Sequence, residues 1–490
     1  MGLDLSKSAI RTSLKASTWD GIFSTVFSSV TGGVLLSNCM LELQASTFEI
    51  GLLAAIPMLV NLAQPVGAHL AEQTTSRWRY GLLTFGLARS LWLLVAISLT
   101  GLFGLSATPQ LILGVAVVSS LLCALGGASW FSWVAAIVPA RLRGRYFGFR
   151  NMTVGVTTLL CLPLAGLAID HWSGGSLQGY GALLVLAVVA GIVSLLVQVY
   201  MVDVNPQAEQ HQTASNDSPP VHPLREPNFR AFLGFQALWT FALNLSGPFF
   251  AVYLLDDLGL GLVWVTAYNS ICAAANTLTL RFWGRVADRT GNRPLLIISG
   301  LCVAVTPFLW LGTSTDQWSM LLWLPLLHVL IGATTAALDL CTHNIQISIA
   351  PTTRNTSYFA SVAAVGGVSG AIGAALGGYL GQSEFAGGLL GLFALSGVLR
   401  LVAVLPLFQV SENPAWTVPQ VIQLLQLELR SLTGLLRGRP VQPTLLPSGT
   451  EVELIPSELM ASELMPPELV PVEVESEPTP EQAATLPLRT

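Results

Sequence analysis

The chain has 490 residues, of which 52% are apolar and only 10% are Asp, Glu, Lys or Arg, against about 25% charged in an ordinary soluble chain. Charge-poor stretches of about 20 residues recur along most of it, long enough to cross a hydrocarbon core of roughly 30 Å. A soluble globular enzyme is excluded, and so is an outer-membrane barrel, whose strands read as alternating segments of about ten residues. The formal net charge of −5 says little, because much of the acid sits in one terminal tail.

In chain order the apolar runs give six spans before residue 202, at 17–40, 48–70, 79–101, 110–138, 147–169 and 178–201. Six more follow at 231–255, 262–283, 294–313, 318–349, 357–381 and 385–409. The expected fold is therefore all-α and integral to the membrane, with twelve transmembrane helices in two pseudo-symmetric six-helix bundles, 1–201 and 230–410. Between them, residues 202–229 are polar and rich in helix breakers and read as a flexible linker. Residues 411–490 read as a tail: 418–440 has helically spaced apolar residues with Arg430, Arg437 and Arg439 among them, suited to the membrane surface or to the bundle face. Beyond it, PSELM, ASELM and PPELV form a five-residue repeat in a Pro- and Glu-rich end whose composition argues for disorder.

Cytoplasmic loops retain basic residues. Lys7, Arg11 and Lys15, Arg77 and Arg79, the run from Arg141 to Arg150, Arg225 and Arg230, the cluster Arg285, Arg289 and Arg293, and Arg354 all fall on one side. The connections near Glu42, Leu105, Ser173, Asp256, Asp316 and Gln382 carry no Lys or Arg. Both termini are expected to be cytoplasmic, in a bacterial inner membrane, without a cleaved signal peptide. Lysine occurs only at Lys7 and Lys15, so no GxxxxGK phosphate loop can be written. The six cysteines lie in apolar stretches without CxxC pairing and read as small hydrophobes, so no disulfide, metal or cofactor is expected.

The halves resemble each other. PARLRGRYF from Pro139 aligns with PTTRNTSYF from Pro351, and at the same offset of 212 Gly166 falls on Gly378. In membranes such duplication places a binding site between the halves. GRVADRTGNR, from Gly284 to Arg293 between spans eight and nine, resembles the GxxxDRxGxR loop motif of the major facilitator superfamily. Gly284 permits close helix approach, Asp288 can cap or pair at a helix end, and Arg289 and Arg293 suit the headgroup region, with Gly291 between them. The first-half loop, GAHLAEQTTSRWR from Gly67, departs from the motif: Glu72 is one position late and the Asp-Arg pair is missing. The arginine that many exporters of that family carry in span four is replaced by Leu122, and their span-five signature survives only as Pro163 and Gly166.

Ionisable groups inside a bilayer are costly and are functional candidates by default. Those singled out are Asp20 in span one, Arg89 in span three, Asp339 and His343 in span ten, and Arg400 in span twelve. The resemblance implies that spans one, four, seven and ten line a central cavity, which favours Asp20, Asp339 and His343 over Arg400. Asp339 and His343 are four residues apart on one helix face, beside Asn344, and such a pair suits either shared-proton coupling or a structural hydrogen bond. Arg89 suits an anionic group or an acid in its own half. Gln236, Thr240 and Asn244 recur every four residues just before Gly247 and Pro248, and Trp130 and Trp133 end span four; amides with aromatic walls suit an amphipathic solute.

What the resemblance implies is a secondary transporter working by alternating access on a small organic solute, coupled to a proton or another ion, with no enzyme chemistry and no nucleic-acid partner. Efflux of an amphipathic compound is the preferred expectation. Proton-coupled nutrient uptake is the first rival, and an assembly or signalling scaffold acting through a protein partner of the tail 441–490 is the second.

Overall fold

The computed structural model describes residues 6–74, 76–101, 106–138, 143–203, 223–349, 355–382, 387–412, 416–426, 444–445 and 451–452. Helices follow one another almost without interruption: α1 (Lys7–Val30), α2 (Gly33–Glu42), α3 (Thr47–Val60), α4 (Gln64–Glu72), α5 (Arg77–Ser90), α6 (Trp92–Leu99), α7 (Pro109–Ile137), α8 (Arg143–Asp170) and α9 (Ser176–Val197). After the central connection come α10 (Pro227–Ser246), α11 (Phe249–Val252), α12 (Leu262–Thr290), α13 (Asn292–Leu309), α14 (Leu324–Ile349), α15 (Asn355–Gln382) and α16 (Gly388–Ala403). Paired as α1–α2, α3–α4, α5–α6 and α10–α11, they make twelve spans, reversing direction at short connections within each half. We call the face where α1 begins basal and the opposite face apical.

Among the described residues, eleven of these spans are long and apolar enough to cross a membrane. The eighth, α12, is a continuous helix of 29 residues, equal in length to α7. It is less hydropathic because Asn269, Ser270, Asn276, Thr277, Thr279 and Arg281 interrupt its apolar sequence. Leu83, Leu164, Leu186, Leu278 and Leu321 are all more than half exposed on helix surfaces, an arrangement suited to a lipid environment.

Local chemistry sets the helix ends. Ser6 Oγ accepts from Ala9 N at 3.2 Å, so α1 starts about three turns before the first apolar run at residue 17. A reciprocal capping box of Ser46 and Glu49 opens α3, and Thr108 with Pro109 opens α7. The basic motif is helical rather than a loop, which corrects the sequence expectation: Gly284 to Thr290 are the last two turns of α12. Only Gly291, at φ 85°, leaves the helix, and such a backbone conformation suits glycine. Likewise Gly67 to Glu72 belong to α4.

Residues 1–416 pack as one compact unit. Their main core joins Leu35, Met40, Trp92, Tyr180, Phe249, Tyr268, Trp310 and Phe393, and a smaller basal cluster gathers Trp133, Val134, Ile137, Tyr146 and Met201. Two seams join the first six spans to the last six. Along α3 and α15, backbone meets backbone: a Cβ on Gly51 would stand 2.5 Å from Ala374 O, and one on Gly378 would stand 2.9 Å from Thr47 O. Along α8 and α12, Gly166 faces Thr266, and Ser270 Oγ donates to Leu159 O at 3.2 Å. Gly166 and Gly378, related by the sequence offset, thus occupy corresponding seams.

Residues 417–490 are a second unit. Its described parts are a helical turn region within 418–426 and an antiparallel pair, Thr444–Leu445 with Glu451–Val452. Most of the linker (204–222), the aligned segments 139–142 and 350–354, residues 427–440 of the amphipathic segment and the Pro/Glu repeat lie outside the described residues.

Candidate functional site

Two spans are broken at corresponding places. The first parts at Thr31–Gly32, where Gly33 takes φ 57°, and the seventh parts at Gly247–Pro248. Thr31 Oγ1 returns to Phe27 O at 2.9 Å, and no side chain caps the start of α2. Paired interruptions in the two halves of a transporter mark a binding site. Both breaks open on one cavity of about 440 Å³, within the range of small-molecule sites.

The cavity lies between the halves, toward the apical face. Its walls come from the α1–α2 break, from Ala54, Pro57 and Met58 on α3, from Trp92, and from Ala116 and Ser120 on α7. The second half adds Asn244, Phe250, Asn269, Cys272, Trp310 and His328. No Asp, Glu, Lys or Arg is among the lining residues. The lining carries a donor in Trp310 Nε1–H, buried without a partner among the described residues, and acceptors in two amides. Asn244 Nδ2 donates to Thr240 O at 2.8 Å and Asn269 Nδ2 donates to Val265 O at 2.9 Å, so each amide spends a donor on its own helix and leaves Oδ1 as an acceptor. Apolar surface comes from Trp92, whose indole donates to Ser119 Oγ at 3.0 Å, and from Phe250 stacked on Trp310 at 4.6 Å. The site can therefore enclose a small amphipathic molecule and accept its hydrogen bonds.

Of the residues singled out from the sequence, Asn244 alone lines this cavity. Gln236 and Thr240 lie on the same stripe of α10 but face Gly366 of α15. Asp20 and Arg89 meet inside the first half through Ser194. Ser194 Oγ donates to Asp20 Oδ1 at 2.5 Å and accepts from Arg89 Nη1 at 3.1 Å. Gln198 Nε2 also donates to Asp20 at 2.9 Å, and Arg89 donates to Gly191 O. Arg400, on the twelfth span, is buried inside the second half, donating to Ser246 Oγ at 2.9 Å and Val303 O at 3.2 Å.

Trp130 stacks under the Arg150 guanidinium at 4.7 Å, and Trp133 donates to Val202 O at 2.8 Å, both in the basal part of the first half. Asp339 and His343 are exposed in the basal third of α14. His343 Nδ1 donates to the Asp339 carbonyl at 2.7 Å, which is a backbone rather than a carboxylate contact. Asn344 Nδ2 donates to Asn292 Oδ1 at 2.8 Å and ties α14 to the start of α13.

The motif residues divide. Gly291 N–H closes on Ala287 O at 2.9 Å, while Arg293 donates to Leu407 O at 3.1 Å and Phe408 O at 2.8 Å at the end of the twelfth span. Gly284 has open space where a Cβ would stand, and Asp288 and Arg289 are exposed.

Two features escaped sequence reasoning because they exist only in three dimensions. Glu412, just past the twelfth span, accepts from Asn292 N at 3.0 Å and Arg293 N at 2.6 Å. Asp203, just past the sixth, accepts from Arg77 N at 3.0 Å and from Ser76 Oγ. In each half a carboxylate after the last helix thus caps the N-terminus of the third. His328 and Asn269 also went unremarked. The same rule about ionisable groups in apolar runs finds His328 within the sequence LLHVL.

A family model described as Major Facilitator Superfamily matches residues 21–327 and, overlapping it, 270–450. Multidrug resistance protein MdtG of Proteus mirabilis (strain HI4320) is 29% identical over 180 residues, 35% of this chain and 41% of that protein. MdtG of Dickeya zeae (strain Ech586) is 30% identical over 173 residues, 34% and 40% respectively. The match thus spans less than half the length of these curated relatives.

Among solved structures, a D-xylose-proton symporter superposes with TM-score 0.64 at 16% identity, covering 84% of this chain and all of that one. A bacterial homologue of the iron transporter ferroportin in its inward-facing state gives 0.60 at 13%, covering 83% and 100%. Nucleoside transporter NupG gives 0.59 at 12%, covering 82% and 97%. At these identities the likeness is one of fold.

Proposed function

The chain belongs to the Major Facilitator Superfamily, and from that premise we propose that this integral membrane transporter exports a small, uncharged, amphipathic organic solute in exchange for protons. The observation that carries the reading is the cavity lining. Aromatic faces with two amide acceptors and no charged side chain match a solute that is mostly apolar and bears one or two hydrogen-bond donors. A permanently charged solute would be buried there without a counter-ion, at a cost of several kcal/mol. The partial relation to two multidrug resistance proteins supports export over uptake.

Orientation follows from the arginines: the basal face is cytoplasmic, in a bacterial inner membrane, and the cavity lies toward the outside. Asp20 and Arg89 act in this proposal as the internal brace of the first half, and Asn344 acts as a tie between α13 and α14.

The test uses purified full-length protein in proteoliposomes with an imposed pH gradient and radiolabelled chloramphenicol, a neutral molecule with two hydroxyls and an amide N–H. Accumulation that follows the gradient and collapses with an ionophore is expected. Gradient-independent flux, or accumulation only of charged solutes, refutes the reading.

A further inference from the structure

The cavity lining holds one imidazole, His328, and no Asp, Glu, Lys or Arg. His328 sits on α14 about 14 Å along the span from Ser319, at 1.5 Å per residue. It is 6% exposed, and it lines the cavity. Its Nδ1 lies 2.8 Å from Leu324 O. A carbonyl only accepts, so Nδ1 carries the hydrogen, and the neutral ring keeps its lone pair on Nε2. Nε2 has no hydrogen-bond partner among the described residues.

The ring is held so that this nitrogen stays the free one. Tyr268 stacks on it at 5.3 Å, and the Tyr268 hydroxyl is itself pinned by donating to Met320 O at 2.8 Å. The edge of Trp310 closes a second side at 5.6 Å. The groups that face His328 from the packed elements are Tyr268 and Cys272 of α12, Trp310 after α13, and Asn244 of α10. Asp339 and His343 on its own helix lie about 16 and 22 Å further along.

We propose that His328 is the proton site of this transporter: its Nε2 lone pair takes either a proton or a hydrogen bond from the solute, never both. The inference rests on the export reading above and names the group that couples it. When the cavity opens to the outer solvent, Nε2 accepts a proton from water. An N–H bond forms, the ring gains one positive charge against the Tyr268 face, and a solute held through its donor hydrogen loses its acceptor and leaves. When the cavity opens to the basal solvent, that proton passes to water and the restored lone pair accepts the donor of the next solute. Each cycle then carries one positive charge inward for each neutral solute carried out, so flux responds to membrane potential as well as to the pH gradient.

The test begins with the proton alone. Full-length protein carrying ring-15N histidine is placed in lipid nanodiscs and titrated across about pH 5 to 8, with the resonance assigned by its loss in His328→Gln. Where that variant does not fold, a single-histidine chain, with the other five replaced by Gln, gives the same assignment. A neutral Nδ1–H tautomer converting to the doubly protonated ring is expected. An Nε2–H tautomer, or no titration, overturns the proposal.

Chloramphenicol is the second probe. Its affinity for the wild type should weaken about tenfold per pH unit below the His328 midpoint. His328→Gln should bind it with no pH dependence and should lose gradient-driven accumulation while retaining downhill exchange. A pH-independent affinity in the wild type, or driven accumulation in His328→Gln, overturns the competition. Failure of the wild type to bind or move chloramphenicol counts against the export reading instead, and the tautomer and titration still decide the proton site.

Discussion

Replacing Gly51 by Ala tests whether the α3–α15 seam is a closing surface. The added Cβ would stand 2.5 Å from Ala374 O, 3.0 Å from Gly378 Cα and 3.1 Å from the Phe249 ring. Ordinary contact begins near 3.4 Å, and two of these three neighbours are backbone, so the helices must separate by roughly 1 Å or strain. Overpacking of this kind costs about 1–3 kcal/mol. If the contact exists only in the apically closed state, the whole cost falls on that state. At about 1.4 kcal/mol per decade the equilibrium then shifts some fivefold to hundredfold toward apical opening. Cys272 lines the cavity and reports on it. With the other cysteines replaced by serine, its labelling by a membrane-impermeant maleimide from the apical side should accelerate by that factor in Gly51→Ala. An unchanged rate in a protein of unchanged thermal midpoint refutes the gating role of the seam.

Further outcomes follow from the buried polar networks. Arg89→Met strands the Asp20 carboxylate beside Ser194 and Gln198. It should lower stability by about 3 kcal/mol or more, read as a large fall in thermal midpoint that adding Asp20→Asn partly reverses. Glu412→Ala removes three acceptor contacts at the start of α13 and should cost about 1–3 kcal/mol, with Asp203→Ala costing a similar amount in the same thermal assay. Gly291→Ala places a side chain at φ 85°, ψ 162°, a region open essentially to glycine alone. About 1–3 kcal/mol of strain is expected, detectable as faster proteolysis at the α12–α13 junction. Asn269→Leu keeps the volume but deletes an acceptor and should raise the KM for chloramphenicol roughly tenfold while leaving the KM for a donor-free apolar solute unchanged.

Much of the fold could be read in the sequence because membranes enforce a length rule, and the apolar runs met it. Even α12, whose apolar run is interrupted by Asn269, Asn276 and Arg281, was delimited by the breaks at Gly261 and the arginine cluster. The offset between Gly166 and Gly378 was informative for the same physical reason, since close helix approach demands small residues wherever it recurs. The site was harder. Carboxylates drew attention because they are expensive in lipid, yet Asp20 offsets that cost through Ser194 and Gln198 inside one half, and nothing in the sequence reveals those contacts. His328 stood four residues from the start of α14, in an unremarkable apolar run, and only packing brings it beside Tyr268 and Trp310. Breaks such as Thr31–Gly33 are visible as glycines, but that both breaks open on one cavity is a property of the assembled bundle.

The two seams differ in a way that bears on kinetics. Gly51, Gly367, Gly370 and Gly378 set smooth backbone surfaces against each other or against Met58 and Asn244, whereas the α8–α12 seam carries the Ser270 to Leu159 hydrogen bond. The first is a sliding bearing, and the second has a latch. Opening should therefore be lopsided, with α3 and α15 parting early and α8 and α12 following as the hinge side, and paired distance measurements along the two seams would reveal the order. Ser270→Ala would then speed the lagging side alone, so that turnover, rather than affinity, would be set by a hydroxyl outside the cavity lining.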